Sequence, residues 1–282
     1  MRTGSEITIG DGTTVIITGG GSGIGRLVAL GAARKGAHVV IWDRDGDAAH
    51  AVVREIGDEG GRGSTVVVDL ADADAIELAA AETLMLGPVD VLVNNAGVVS
   101  GKPLTELSAA QIDRTMRVNA IAPILVTRAL LPAMRDAGRG RIVTVASAAG
   151  FIGVAGQTDY AASKFAAVGF MESLRAELRK QRSPITTLTV APFYIDTGMF
   201  EGVATKVPAL LPILSSAAVA TRILAAIDSR RPLLALPPLV RIVPALKVLP
   251  AALADRLADA LGVNEGMDGF TGRTPSAREE RG

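Results

Sequence analysis

The sequence predicts an α/β fold in which a doubly wound, mostly parallel seven-stranded sheet forms a single domain with an apolar C-terminal extension. Runs of β-branched and apolar residues alternate with alanine-rich segments of helical period, a pattern typical of βαβ units. Several runs, such as VIIT and VLV, are apolar throughout, as strands buried on both faces of a parallel sheet usually are. A glycine-rich segment joins the first run to the first helical segment.

The predicted elements alternate along the chain. A helix of the last α/β unit starts at Ser215 or Ser216, either of which could act as its N-cap. Strands are predicted at 13–18, 37–42, 64–68, 89–93, 141–145, 185–190 and 233–236. Helices are predicted at 23–35, 45–59, 72–86, 108–136 in two pieces, 159–181 and 215–228.

Composition excludes several classes of site. Lysine plus arginine and aspartate plus glutamate both number 29, so zero net charge gives no reason to expect a nucleic acid partner. The chain has no cysteine, which excludes disulfides, thiolate metal sites and cysteine nucleophiles. With only His38 and His50 as histidines, we expect no metal.

Segments for targeting or membrane insertion are not evident. Residues 1–12 lack the basic start and apolar run of a signal peptide. No uninterrupted apolar stretch reaches the ~18 residues of a membrane span. We therefore expect a cytoplasmic protein, with membrane association left open.

The glycine-rich segment has the form G-x-x-x-G-x-G, with Gly19, Gly23 and Gly25 at the key places. Glycines let the backbone turn tightly and approach a pyrophosphate, whose charge is favoured at a helix N-terminus. A tight strand–helix turn also needs glycines for structure alone. The place of the segment, after the first strand and before the first helix, favours a dinucleotide-binding Rossmann fold.

Asp43 ends the second predicted strand. A carboxylate there could accept hydrogen bonds from both adenosine ribose hydroxyls and would repel a 2′-phosphate. Alternatively, Asp43 could cap the next helix, for which Asp45 is an equal candidate, and the neighbouring Arg44 could bind a phosphate. The carboxylate at the strand end favours NAD over NADP.

Tyr160 and Lys164 are four residues apart in a predicted helix, so they share one face. A nearby ammonium favours phenolate and lowers a tyrosine pKa, as a general acid/base requires. Such pairs also occur by chance in many helices. Ser147, at the carboxyl end of the fifth strand, could hold a substrate oxygen beside the phenol, or be an ordinary strand-end serine. Asn119 lies among apolar residues of a helix and needs a partner there, whether structural or functional.

Together these residues resemble the short-chain dehydrogenase/reductase family. The resemblance covers about 180 residues in the order and spacing of that family. The matching segments are TGGGSGIG at 18–25, Asp69 after the third strand, NNAG at 94–97, Asn119, Ser147, Tyr160-x-x-x-Lys164 and residues 192–197.

The resemblance implies a catalytic tetrad of Asn119, Ser147, Tyr160 and Lys164. It implies that Tyr160 takes the alcohol proton while hydride passes to the nicotinamide, and that Ser147 positions the oxygen. Lys164 would bind the nicotinamide ribose and lower the pKa of Tyr160, and Asn119 would hold a relay water.

Cofactor contacts are also implied by the resemblance. Asp69 would contact adenine, residues 95–97 would flank the adenosine ribose, and Thr197 would bind the carboxamide. The implied cofactor-binding set is Gly19, Ser22, Gly23, Ile24, Gly25, Asp43, Arg44, Asp69, Leu70, Asn95, Ala96, Gly97, Tyr160, Lys164, Pro192, Ile195 and Thr197.

One departure concerns the substrate. The family usually has Pro-Gly where this chain has Pro192-Phe193, and the following YIDTGMF resembles the retinol and hydroxysteroid dehydrogenase branch. That branch implies a lipophilic alcohol: a retinoid, a steroid or a long-chain alcohol. Phe193, Ala149 and Gln157 are the candidate substrate-lining residues.

We predict an NAD-binding domain at 1–236 with a substrate loop at 193–212, an apolar extension at 237–270 and a flexible tail at 271–282. The extension could cover the core or a subunit interface, form a lid over the substrate, or contact a membrane through an amphipathic surface. The long helices resemble those through which the family forms dimers or tetramers. Open alternatives are an NADPH-dependent carbonyl reductase and a non-catalytic nucleotide-binding regulatory or membrane-surface protein.

Overall fold

Seven strands form one parallel sheet in the computed structural model, which describes residues 7–272. Their order across the sheet is β3-β2-β1-β4-β5-β6-β7, and each neighbouring pair is parallel. The order reverses between β1 and β4, the point at which such sheets bind ligands. The strands are β1 Thr14–Thr18, β2 His38–Asp43, β3 Arg62–Val67, β4 Val91–Asn94, β5 Arg141–Val145, β6 Thr186–Pro192 and β7 Leu233–Leu236.

Helices cover both faces of the sheet. In chain order they are α1 Gly23–Arg34, α2 Gly46–Asp58, α3 Ala73–Met85, α4 Ala109–Met116, α5 Ala122–Asp136, α6 Thr158–Lys180, α7 Ser216–Ile227, α8 Val243–Leu246 and α9 Ala251–Ala260. Within residues 7–272, no helix combines the length and the apolar character needed to cross a bilayer.

The apolar runs of the sequence bury both faces of each central strand. In β1, Val15 and Ile17 pack into the core beneath α1, α2 and α7, whereas Ile16 packs into the core beneath α3, α5 and α6. Side chains alternate between the faces of a strand, so a strand buried on both faces must be apolar at every position. This arrangement confirms the predicted fold class.

The helix predicted at 108–136 differs in detail. It is continuous but contains a π-turn at Arg117–Ile121, which separates α4 from α5. A π-turn places one extra residue in the helix and often marks a functional position. Here the inserted turn contains Asn119, whose buried side chain bonds outside the helix.

The apolar extension at 237–270 contains α8 and α9 and packs beside the carboxyl edge of the sheet. Ser215 is the N-cap residue of α7, although its side chain makes no capping bond. From residue 273 onward, the predicted tail at 271–282 lies outside the described residues.

Candidate active site

A cavity of about 700 Å³ lies at the carboxyl edge of the sheet, where the strand order reverses. Every site residue predicted from the sequence borders it, except Gly25 and Asn119. One end is lined by the glycine-rich turn and the other by aromatic and aliphatic side chains of the C-terminal half. The cavity therefore has the size and the mixed polarity of a site for a cofactor and an apolar ligand.

The glycine-rich turn has no room for side chains. A Cβ atom on Gly19 would lie 2.8 Å from Cα of Ala96, and one on Gly25 would lie 2.2 Å from the Gly19 carbonyl oxygen. Gly19 and Gly23 also have positive φ angles, of 63° and 54°. Ser22 precedes α1 but its side chain does not cap the helix. The turn thus offers a bare backbone and a helix N-terminus to an anion, which fits the pyrophosphate of a dinucleotide.

Asp43 holds the same turn from the end of β2. Its Oδ2 accepts a hydrogen bond from the Gly21 N–H at 2.9 Å, and its Oδ1 accepts one from the Asp45 N–H at 3.1 Å. Asp45 is the N-cap of α2, since its side chain accepts from the Ala48 N–H at 3.0 Å. The helix cap is thus Asp45, and the Asp43 carboxylate borders the cavity beside Arg44.

Asn95 joins the ends of β1 and β4. Its amide nitrogen donates to the carbonyl oxygens of Thr18 and Gly19 at 3.0 and 3.1 Å. The Thr18 hydroxyl in turn accepts from the N–H groups of Asn95 and Ala96. The side chain of Asn95 therefore holds the carbonyl groups at the start of the glycine-rich turn in place.

Ser147, Tyr160 and Lys164 converge just beyond the end of β5. Tyr160 is buried on α6, and an interaction with the Ser147 side chain favours its ionised form. One helical turn later, the Lys164 Nζ atom lies 5.5 Å from the centre of the Tyr160 ring. The Lys164 ammonium donates to the carbonyl oxygen of Val145 at 3.0 Å.

Asn119 lies behind this group rather than on the cavity wall. Its Nδ2 donates to the Val98 carbonyl at 2.8 Å and to the Ser163 hydroxyl at 3.0 Å, and its Oδ1 accepts from the Val98 N–H at 2.8 Å. Both amide hydrogens are used, which satisfies the buried side chain. Asn119 thereby fixes the segment after β4, including Gly97, whose ideal Cβ position is 3.5 Å from Lys164 Nζ.

Burial is the main influence on the pKa values of Tyr160 and Lys164 in the protein alone. Burial raises the pKa of Tyr160 well above its usual value, although the hydrogen bond from Ser147 opposes that shift. Burial also lowers the pKa of Lys164 to about 8. Desolvation disfavours the charged form of both groups.

Aromatic side chains surround the other side of Tyr160. Phe200 meets its ring edge-on, with centroids 5.7 Å apart, and meets Tyr194 at 5.2 Å. Phe193 packs against Tyr194 at 4.6 Å. Sequence reasoning missed Tyr194 and Phe200. Composition alone did not mark them, because only the fold brings eight of the chain's nine aromatic residues to this cavity.

A buried amide and hydroxyl interrupt this apolar wall. The Gln157 Nε2 donates to the Tyr194 hydroxyl at 3.1 Å, and both residues are buried. Ala149, the third candidate lining residue, packs against Tyr160. Phe193, Ala149 and Gln157 therefore lie around one end of the cavity, together with Tyr194.

Asp159 is a second residue that sequence reasoning missed, although an acid directly before Tyr160 in a helix start was a visible signal. It is 5% exposed. Its Oδ2 accepts from the hydroxyls of Ser100 and Thr115 at 2.9 and 2.8 Å, and its Oδ1 accepts from the Tyr160 N–H at 2.8 Å. Asp159 therefore ties the start of α6 to α4 and to the loop after β4.

Metal chemistry has no visible site in the described part of the chain. Between residues 7 and 272, no cluster of three or more histidine, aspartate or glutamate side chains could hold a metal ion.

Known proteins of similar sequence are described as dehydrogenases. The family model described as short chain dehydrogenase matches residues 13–208. Epidermal retinol dehydrogenase 2 of Mus musculus is 40% identical over 268 residues, which cover 93% of this chain and 86% of that protein. Retinol dehydrogenase 10 of Homo sapiens is 36% identical over 298 residues, covering 94% and 87%.

Solved structures of similar fold include complexes with either cofactor. A short chain dehydrogenase/reductase from Burkholderia phymatum in complex with NAD is 26% identical, with a TM-score of 0.77 over 96% of this chain and 100% of that one. A metagenomic short-chain oxidoreductase in complex with NADP is 33% identical, with a TM-score of 0.69 over 81% and 98%.

Proposed function

Since this chain belongs to the short-chain dehydrogenase/reductase family and is an oxidoreductase of that family, we propose that it interconverts a lipophilic alcohol and its carbonyl with NAD. The single observation that carries this proposal is the position of Tyr160. Its side chain interacts with that of Ser147 and borders the cavity where the polar, glycine-lined end meets the aromatic end. An alcohol oxygen placed there touches both hydroxyls.

The catalytic roles follow from this placement. Tyr160 accepts the alcohol proton, and Ser147 holds the reacting oxygen by a hydrogen bond. When bound, NAD supplies a nicotinamide ring that accepts the hydride. Lys164 places an ammonium 5.5 Å from the centre of the phenol ring, and we expect this charge to favour the ionised form of Tyr160 against the burial that raises its pKa. Asn119 holds the segment after β4 in place, and the free lone pair of its Oδ1 is the part of its side chain left for a relay water.

The choice of NAD rests on Asp43. Its carboxylate borders the cavity at the end of β2, where a ribose 2′-hydroxyl would be bound and a 2′-phosphate would be repelled. Arg44 next to it is the feature that favours the rival proposal, an NADPH-dependent carbonyl reductase. A comparison of rates with both cofactors separates the two, because a clear preference for NADPH contradicts the role of Asp43.

The choice of a lipophilic substrate rests on the aromatic end of the cavity. Phe193 and Phe200 border it together with aliphatic residues of the extension. Two relatives that cover most of this chain are named as retinol dehydrogenases, which supports an apolar alcohol. We expect retinol, steroid alcohols and long-chain alcohols to be better substrates than small polar alcohols.

The test is a screen of these alcohols with NAD, followed as absorbance of the reduced cofactor. The variant Tyr160→Phe should lower kcat at least ~100-fold, because a general acid/base contributes about that much or more. Binding of reduced cofactor, measured by fluorescence, should be retained in the variant. Unchanged turnover by Tyr160→Phe would contradict the mechanism, and cofactor binding without any turnover would favour a non-catalytic nucleotide-binding protein.

The apolar extension supports a second, non-exclusive role in contact with a membrane. Ile242, Val248, Leu253 and Leu257 are 51%, 85%, 45% and 40% exposed, and two of them, Ile242 and Leu257, also border the cavity. Exposed apolar groups beside a cavity mouth would allow a lipophilic substrate to enter directly from lipid.

Sedimentation with phospholipid vesicles tests this role. The variants Val248→Glu and Leu253→Glu should reduce the bound fraction. Met85→Glu is the matched control, because Met85 is 83% exposed on α3, outside the extension. Equal binding by all variants would contradict a membrane contact through this face.

We further propose that the chain forms a homodimer or homotetramer. Ile121 and Ile124 are 43% and 41% exposed where α5 begins, and Ala162, Ala166 and Gly169 are exposed along α6. Small residues let two helices approach closely. Light scattering should give a mass of two or four chains, and a monomeric mass would contradict the proposal.

A further inference from the structure

The last described residues, 262–272, form a strap that lies across the substrate side of the cavity. The N–H of Thr271 donates to the Glu201 carbonyl at 2.9 Å, and the N–H of Ala204 donates to the Gly266 carbonyl at 3.3 Å. From the other side, the N–H of Ala155 donates to Asn264 Oδ1 at 3.2 Å. The strap is thus bonded to two separate loops that border the cavity.

Backbone contacts without side chains fix its position. A Cβ atom on Gly202 would lie 1.9 Å from the Gly269 carbonyl oxygen, and one on Gly269 would lie 2.6 Å from the Gly202 carbonyl oxygen. Gly202 also has a φ angle of +83°, which side chains rarely allow. The two glycines therefore let the strap touch the substrate loop directly.

The strap places Phe270 against Gly101. A Cβ atom on Gly101, where φ is +64°, would lie 2.0 Å from Cε1 of Phe270, so glycine makes room for the ring. The Phe270 ring lies 6.5 Å from that of Phe200, which in turn contacts Tyr160. A continuous row of rings thus runs from the catalytic hydroxyl to the strap.

We propose that Phe270, seated on Gly101, forms the end wall of the substrate cavity and sets the length of the alcohol that the enzyme accepts. The inference rests on the proposed function. A chain that ends at the ring buries all its methylenes, whereas a longer chain must displace a ring held by Gly101 and Phe200. Burial of a further methylene contributes only while space remains for it.

Straight-chain primary alcohols of increasing length test the proposal. For the native enzyme, kcat/KM should rise with length and then fall. In Phe270→Ala the fall should move to longer chains, with a gain of about fourfold for each methylene newly accommodated, equivalent to ~0.8 kcal/mol. An unchanged length profile in a variant that still binds NAD would overturn the inference.

Gly101→Ala offers an independent test, because its added methyl group must displace the ring. Phe270 borders the cavity and Gly101 does not, so the displaced ring should move into the cavity and the fall in kcat/KM should come at shorter chains. In the background of Phe270→Ala the methyl group meets no ring, so the two shifts should not add. Additive shifts would show that Gly101 acts through something other than Phe270.

Met267→Ala is the matched control within the strap. Met267 is buried against Tyr194 but does not border the cavity. It should lower Tm without moving the length profile. An equal shift in Met267→Ala would assign the effect to a loosened strap and would overturn the proposal that Phe270 forms the end wall. If the native enzyme turns over no alcohol with either cofactor, the proposed function fails. If the native enzyme turns over alcohols but Phe270→Ala leaves the length profile unchanged, only the inference about the end wall fails.

Discussion

Lys164 Nζ lies 3.0 Å from the carbonyl oxygen of Val145, so this buried cation is bonded to the last residue of β5. The side chain is 4% exposed, and burial lowers its pKa to about 8. A neutral carbonyl dipole compensates a buried charge only in part. In the protein alone, the site therefore holds its lysine at a cost in folding free energy.

The substitution Lys164→Met should abolish alcohol oxidation yet stabilise the protein at pH 7. Its free energy of unfolding should rise by ~1–3 kcal/mol, since one pKa unit corresponds to about 1.4 kcal/mol and the Val145 carbonyl loses a donor. Urea denaturation of the cofactor-free protein measures the difference.

The stability difference between Lys164→Met and the native protein should depend on pH. The pKa of Lys164 in the folded state is about 8, below its ordinary 10.5. Below pH 8 the lysine is charged in both states and the folded state carries the full desolvation cost. As the pH rises from 8 towards 10.5, the folded state loses its proton first, so the native protein regains stability. The difference in unfolding free energy between Lys164→Met and the native protein therefore narrows. A stability difference that widens over this pH range would contradict the lowered pKa of Lys164.

Asp43→Asn should shift the cofactor preference from NAD towards NADP. The amide oxygen can still accept from the Gly21 N–H, so the glycine-rich turn should keep its shape, whereas the bond from the Asp45 N–H is lost. What is lost is a negative charge and one acceptor for the ribose hydroxyls, worth ~1.5–3 kcal/mol for a charged hydrogen bond. The ratio of kcat/KM for NAD to that for NADP should fall at least ~10-fold.

Asp45→Asn is its control. Asparagine retains the N-cap of α2 and removes the same charge two residues away. Its cofactor preference should change little. Equal shifts in both variants would assign the effect to general charge and not to the position of Asp43.

Asp159→Ala should lower kcat more than it changes KM, because Asp159 is a positioning residue for Tyr160. The substitution removes the acceptor for the hydroxyls of Ser100 and Thr115 and for the Tyr160 N–H. We also expect a loss of ~1–3 kcal/mol in stability from the unpaired buried groups.

Asp159→Asn separates positioning from stability. Its Oδ1 can still accept from the Tyr160 N–H, and the two hydroxyls can rotate to accept from its amide. It should therefore recover most of kcat. If kcat stays native in Asp159→Ala despite lower stability, Asp159 has only a structural role.

The sequence was sufficient for the parts of the molecule that depend on local pattern. Apolar runs predicted the parallel sheet, which the structure contains. Motifs that include Tyr160 and Ser147 predicted the family, which the match to the family model confirms. The row from Phe200 to Phe270 was not predictable, because it depends on which loops the strap crosses. The burial that raises the pKa of Tyr160 in the protein alone was not foreseen, because spacing reveals a neighbouring cation but not the degree of burial.

Gln157 and Tyr194 form a polar pair whose members depend on one another. Burial raises the pKa of Tyr194 to about 12, and the hydrogen bond from Gln157 opposes that shift. Gln157→Leu leaves the tyrosine hydroxyl without this donor in an apolar wall and should cost ~1–3 kcal/mol.

Replacing both partners should be nearly neutral, because apolar groups of similar shape need no hydrogen bond. The double variant Gln157→Leu with Tyr194→Phe should therefore be more stable than Gln157→Leu alone, with a coupling of at least ~0.5 kcal/mol in a double-mutant cycle. Its wholly apolar wall should also lower KM for hydrocarbon-chain alcohols relative to alcohols with a second polar group. Urea unfolding and paired KM measurements check both effects. Additive losses in stability would show that the 3.1 Å contact contributes nothing.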